Sequence, residues 1–368
     1  MKHTVNSSIG RRGAVILTNG FLTLDDAKTA HGLIRGTERY EILGVVDSAE
    51  NECKDAGEIL DGKHRNIPVF GSLKSAKKAL KNIDFLIIGV ATIGGILPEN
   101  MLKIIEEAIK SGISIVNGLH EYLSEKPEIA SMALENGVSL VDIRKPKTRK
   151  DLHFWTGEIF KVEAPIIAVI GMDCGMGKRT TARLIKQACE AENMNAQMIF
   201  TGQTGWLQGG KYGFIFDSTL NDFVSGELEN AIVNCWKETH ADLILLEGQS
   251  SLRNPSGPCG IELLISGNAK NVVLVHAPKR KYFDKDPHWG EIPSVESEIE
   301  LIEKLGSKVI ALALNTEDCS EEEYQNYQKY YENALKIPVL LPIQEGVEQI
   351  LPVLKNLKNE NYRRSPVS

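Results

Sequence analysis

Nothing in the 368-residue chain pairs its cysteines. Cys53, Cys174, Cys189, Cys235, Cys259 and Cys319 are scattered, with no C-x-x-C and no metal-ligand spacing. That excludes a disulfide framework and a structural zinc site, and it points to reduced thiols in a cytoplasmic compartment. Long apolar runs are missing too: none approaches the roughly 18–20 residues needed to span a bilayer. The opening MKHTVNSSIGRRGAVILTNGF has no uninterrupted apolar core ahead of a small-residue cleavage site, so no signal peptide is expected. Nor is there a basic surplus. A formal net charge of −7 argues against nucleic acid or an anionic membrane as partner. The first apolar run ends in TNGF, with Gly20 alone where a dinucleotide fold would carry G-x-G-x-x-G, and a nicotinamide cofactor is therefore not expected there. There is no low-complexity tract and no fixed-period repeat.

What is present is a globular composition, 42% hydrophobic and 25% charged, in a chain long enough for two domains. In the first half, short apolar runs at 13–18, 40–47, 67–71, 84–90, 113–118 and 138–143 alternate with helical periods. PENMLKIIEEAIKSG (98–112) is one of these, with Met101, Ile104, Ile105 and Ala108 on one face and Gly112 closing it. Strands apolar along their whole length and separated by helices imply a parallel sheet covered on both faces, in a Rossmann-like order. The stretch RKPKTRKDLH (144–153) interrupts the pattern and marks a linker. A second series follows, with strands at 165–171, 196–202, 241–248, 271–277, 308–315 and 337–343 and helices at about 178–192, 221–238, 293–306, 320–335 and 344–355. The expected organisation is a Rossmann-like domain over 1–150, a P-loop NTPase-like parallel-sheet domain over 151–357, and a mobile polar tail over 358–368.

The segment GMDCGMGKRTT (171–181) lies between a strand and a helix. A phosphate cradle needs glycines that turn successive N–H groups toward one anion, a lysine for the terminal phosphates, a hydroxyl for Mg²⁺ and a helix N-terminus behind. Gly171, Gly175, Gly177 and Lys178 meet the first requirements, and Asp173, Met176, Arg179, Thr180 and Thr181 complete the candidate loop. Two departures stand out. Gly171 is one residue farther from Gly177 than G-x-x-x-x-G-K allows, and Arg179 holds the usual hydroxyl position, which displaces the hydroxyl to Thr180. The longer loop with its internal Asp173 resembles that of dethiobiotin-synthetase-like P-loop proteins.

Such a loop works with an acidic residue at the end of a neighbouring strand. Glu247, ending ADLILLEG, is the first candidate, and Asp217, after YGFIF, the second. If Mg²⁺ is used, Thr180 and Glu247 would hold it. TGQTG (201–205), with Gln203 and Thr204, follows a strand and suits the same cleft, as do Gln249 and Ser250 after Glu247. Arg253, Lys279 and Arg280 lie in loops after the right strands to meet a substrate carboxylate, although each is as readily a solvated charge. His276, closing NVVLVHA, is a further candidate base and as readily a hydrogen-bonded core histidine, and His120 in NGLHEYLS is similar. Asp47 ends the second strand, where an acidic residue binds a ribose in dinucleotide folds. Cys174 inside the loop reads as a small side chain filling the turn.

GMDCGMGKRTTARL, TGQTGW, LLEGQSSLRNP and the Rossmann-like front half together resemble the DgcN family of two-domain P-loop proteins, whose characterised members are D-glutamate N-acetyltransferases. The resemblance runs from about residue 12 to 355, and the Gly-Lys-Arg-Thr-Thr order is its most specific part. It implies acetyl transfer from acetyl-CoA to the amino group of a D-amino acid, D-glutamate first. The α-ammonium must lose a proton before it attacks, and Glu247, Asp217 or His276 would take it. A homo-oligomer is expected. The loop and Glu247 by themselves equally describe an Mg-ATP-dependent ligase or kinase acting on a small carboxylate, or a non-catalytic nucleotide-binding regulator.

Overall fold

The computed structural model describes residues 11–364. The first ten residues, on which the expectation about a signal peptide rests in part, and the last four residues of the expected tail lie outside the described residues. Two compact units emerge. One runs up to Pro146 and includes Gln203–Gly209, and the other comprises Lys147 to Gly202 and everything from Gly210 onward.

The first unit is a six-stranded parallel sheet in the order β3-β2-β1-β4-β5-β6. Its strands are β1 (Arg12–Leu17), β2 (Tyr40–Val46), β3 (Val69–Phe70), β4 (Phe85–Ile88), β5 (Ser114–Asn117) and β6 (Leu140–Asp142). Between them run α1 (Lys28–Arg35), α2 (Ala56–Asp61), α3 (Leu73–Ala79), α4 (Glu99–Lys110) and α5 (Pro127–Glu135). This is the Rossmann order, with the reversal between β1 and β4. Asp47 sits past β2, where its carboxylate is taken up by the fold. Its Oδ1 accepts from Thr18 Oγ1 (2.8 Å) and the amides of Gly20 (2.6 Å) and Leu22 (3.3 Å), and its Oδ2 accepts from Asn51. Burial works against its charge, yet the donors of Asn51, Thr18 and Gly20 outweigh it and hold the carboxyl below its ordinary range. A carboxylate that fastens the β1 loop in this way has its lone pairs committed to the fold.

In the second unit seven parallel strands stand in the order β13-β12-β11-β7-β10-β8-β9. They are β7 (Ile166–Gly171), β8 (Ala196–Phe200), β9 (Tyr212–Gly213), β10 (Leu243–Glu247), β11 (Asn271–His276), β12 (Lys308–Leu314) and β13 (Val339–Leu340). The helices are α6 (Lys178–Ala191), α7 (Gln203–Leu207), α8 (Asn221–Thr239), α9 (Ile261–Leu264), α10 (Val295–Lys304), α11 (Glu321–Leu335) and α12 (Leu351–Arg364). β7 and β10 are buried at every position, as sheet strands covered on both faces must be. No helix among the described residues is long and apolar enough to cross a membrane.

Two expected boundaries move. The helix placed at 344–355 begins at Leu351, because Pro352 fits only the first turn of a helix. It then continues to Arg364, so most of the stretch read as a mobile tail is helical. The segment 203–209, although it follows β8, packs in the first unit. Thr37 Oγ1 donates to Leu207 O (2.8 Å), Arg39 Nε to Trp206 O (2.7 Å), and the Arg39 guanidinium lies 4.0 Å over the Trp206 ring.

Candidate active site

β7 delivers its C-terminal end between β10 and β11, the crevice where ligands collect in open parallel sheets. Glycine serves three different ends in the loop that follows. Gly175 (φ 63°) and Gly177 (φ 92°) adopt left-handed backbone that other residues enter at a cost. At Gly171 a Cβ would stand 3.1 Å from Lys178 Cγ and Cδ, so the glycine makes room for the lysine stem. The result is an open cradle. Among the described residues the amides of Gly175, Met176 and Gly177 have no acceptor, and α6 begins immediately behind them.

The buried lysine Lys178 folds over the loop, its Nζ donating to Asp173 O at 2.7 Å. Asp173 itself is 0% exposed. Its Oδ1 accepts from Asn254 Nδ2 (2.8 Å), and its Oδ2 accepts from the Asp284 amide (2.8 Å) and Arg280 Nη1 (3.1 Å). Arg280 also donates to Cys174 O (2.5 Å) and to Glu317 Oε2 (2.7 Å). Asp173 is therefore the anchor that ties the loop to the segments after β10 and β11. An Asp173→Asn substitution is expected to lower stability in urea unfolding by about 2–3 kcal/mol, since it removes a charge-assisted bond and leaves the buried guanidinium undercompensated.

Glu247 ends β10 and is 1% exposed. Its Oε1 accepts from Arg179 Nε at 2.8 Å and its Oε2 from the Thr201 amide at 3.3 Å. Thr201 Oγ1 donates to Glu247 O (2.8 Å) and accepts from Gln249 Nε2 (3.0 Å), so Gln249 belongs to this cluster. Ser250, with a left-handed φ of 38°, sets its hydroxyl 3.5 Å from Cys174 Sγ. Thr180 and Thr181 follow in the first turn of α6, and Thr181 is buried with its amide on Gly177 O.

Asp217 occupies an exposed turn, Phe216–Ser218, where a strand end was expected. The turn is fastened to the site, because the Phe216 amide donates to Thr201 O at 2.9 Å. Burial pushes the Cys259 thiol up to about 12, with Glu262, Cys174 and Asp217 adding to the rise and Lys178 opposing it. Cys259, Asn254 and Asp284 were not singled out as site residues in the sequence. Asn254 lies in the quoted SSLRNP stretch, and nothing local marks the other two.

Several other candidates are held by partners of their own. Gln203 and Thr204 are buried in the first unit, with their polar atoms 3.5 and 3.3 Å from Thr29 Oγ1. Arg253 pins the start of α10, reaching Ser297 Oγ (2.9 Å), Ser297 O (2.7 Å) and Glu298 Oε2 (3.1 Å), so its guanidinium is not offered to a substrate. Lys279 pairs with Glu323 on the surface. Exposed His120 donates its backbone amide to Gly95 O at 3.0 Å.

His276 is buried beneath α11, its Nε2 3.3 Å from the Tyr331 hydroxyl and its Nδ1 without a partner among the described residues. Burial pushes its pKa down from 6.5 to about 4, which leaves a neutral ring packed on Tyr331 and a poor base. Between those values the unfolded chain takes up the proton first. The stability this residue confers is therefore whole above pH 6.5 and is lost as pH falls toward 4. Unfolding free energies measured in urea across that window should fall less steeply in His276→Phe than in the parent, the difference reaching about 3 kcal/mol at pH 4.

Comparison with known proteins agrees with this geometry. Residues 153–351 match a family model described as the DUF1611 C-terminal P-loop domain, and residues 49–146 match its N-terminal Rossmann-like domain. A D-glutamate N-acetyltransferase of a Pseudoalteromonas species is 32% identical over 272 residues, 72% of this chain and 79% of that one. Another protein of that name, from Tritonibacter scottomollicae, is 28% identical over 290 residues, covering 77% and 84%. The crystal structure of a DUF1611 family protein from Anabaena variabilis superposes with a TM-score of 0.85 at 24% identity, over 94% of this chain and all of that one.

Proposed function

The chain belongs to the DUF1611 family, and from that membership we propose that it is an N-acetyltransferase that moves the acetyl group of acetyl-CoA to the amino group of a D-amino acid, D-glutamate first. The observation that carries the proposal is the open cradle at 175–177 with Lys178 folded beside it, in a chain whose relatives bear that name. Coenzyme A presents a diphosphate and a 3′-phosphate, the groups that such amides and an ammonium hold.

The thioester supplies an activated carbonyl, so the residues of the chain have two tasks. Gly175, Met176, Gly177 and Lys178 anchor the phosphates. Asp217 takes one proton from the α-ammonium, which frees the nitrogen lone pair to form the C–N bond; as the C–S bond breaks, the second proton lost by that nitrogen goes to the departing thiolate, which leaves as the thiol. Glu247 accepts from Arg179 Nε and from the Thr201 amide, which suits it to holding the guanidinium in place.

The test is thiol release from acetyl-CoA across a panel of D- and L-amino acids. Release with D-glutamate above all other acceptors is the expected result. Amino-acid-stimulated phosphate release from ATP without any thiol signal would overturn the proposal in favour of a ligase.

A further inference from the structure

P-loops that handle nucleoside triphosphates hold Mg²⁺ through the hydroxyl directly after the lysine, helped by a carboxylate at a strand end. The residues of this site do not fit that ion. Arg179 stands in the hydroxyl position, and its Nε occupies the strand-end carboxylate of Glu247 at 2.8 Å. Thr180 does not replace the missing hydroxyl, because one step along a helix turns a side chain by about 100°. The one group of three metal-ligating side chains among the described residues is Asp173, Cys174 and Asp284. It includes a thiol, and the Asp173 carboxylate already carries Arg280, whereas Mg²⁺ requires an octahedron of oxygens.

Arg179 has donors to spare. With Nε on Glu247, its Nη1 and Nη2 find no acceptor among the described residues, although the side chain is only 23% exposed. We infer that the Arg179 guanidinium takes the place of the metal, so that the loop binds a diphosphate ester as the bare polyanion between Arg179 and Lys178. Glu247 is then a positioning residue that holds the guanidinium at the loop. A planar guanidinium pairs with two phosphate oxygens at once, which suits it to this task better than a lysine. A magnesium complex of the same ligand would bring its cation against a fixed positive charge. The inference rests on reading the loop as a phosphate site and deepens the proposal above, but it does not require that acetyl transfer occur.

Calorimetric titration of the full chain with ADP and with coenzyme A, in EDTA and in excess Mg²⁺, tests it. The expected result is binding in EDTA with a Kd no weaker than in Mg²⁺. Arg179→Thr should weaken binding in EDTA by about ten- to a hundredfold, with part of the loss recovered on adding Mg²⁺. Because that variant leaves Glu247 buried and unpaired, Arg179→Lys serves beside it: it keeps the charge, and its weaker binding should remain indifferent to EDTA. Binding by the parent that requires Mg²⁺, or is about tenfold tighter with it, overturns the inference. Failure of both ligands in both conditions overturns it as well. Binding in EDTA without thiol release would sink the acetyltransferase reading and leave this one standing, whereas thiol release that needs Mg²⁺ would do the reverse.

Discussion

Lys178→Met is expected to weaken the binding of coenzyme A and ADP at least about a hundredfold while the fold stays intact, because one ammonium facing phosphate oxygens makes two or more charge-assisted bonds of about 1.5–3 kcal/mol each. Methionine is the informative replacement. The stem of Lys178 fills the space that Gly171 leaves by having no Cβ, and a thioether of the same length keeps that packing while removing the charge. Nζ donates to Asp173 O, and the Asp173 carboxylate is anchored separately by Asn254, Arg280 and Asp284. Calorimetric titration gives the affinity, and circular dichroism with thermal melting checks the fold. A variant that binds both ligands as tightly as the parent would show that the loop is not a phosphate site.

Asp217→Asn should cut turnover of the transfer reaction by about 10²–10⁴ while leaving the KM for acetyl-CoA within about threefold, the pattern for losing a general base that does not hold the acyl donor. The turn carrying Asp217 is fixed through the Phe216 amide to Thr201, which also touches Glu247, so the substitution changes proton affinity without loosening the site. Because the residue is exposed, stability should move by less than about 0.5 kcal/mol. The parallel measurement on Glu247→Gln discriminates between the two carboxylates. If Glu247 positions Arg179, that variant raises Kd for ADP, whereas a base would lower turnover alone. Unchanged turnover in Asp217→Asn would remove it from the chemistry.

The alternation of apolar runs and amphipathic periods was enough to read two parallel-sheet α/β units and to place the phosphate loop. Strands covered on both faces must be apolar throughout, as β7 and β10 are, and this signature is local. The loop was legible for the same reason. Left-handed backbone at Gly175 and Gly177 demands glycine at those positions, and the lysine and helix follow in fixed order. Pro352 also carried a local signal, the start of α12, which helical periodicity alone misplaced.

Where the charged side chains went was decided by tertiary structure alone. Arg179 and Glu247 are 68 residues apart, and Asp173 and Arg280 are 107 apart. Each pair meets only because β10 and β11 flank β7, an order of strands on which hydrophobic periodicity is silent. For that reason the sequence could name Arg253 and Arg280 as cations near the cleft but not that the first binds Ser297 and Glu298 and the second binds Asp173, Cys174 O and Glu317. The same holds for Gln203 and Thr204, whose polarity suited a cleft until the packing of 203–209 in the first unit buried them beside Thr29. Local sequence sets backbone conformation and the pattern of burial, because those depend on neighbours a few residues away. Ion-pair partners depend on which strands lie side by side, and only the folded chain determines that.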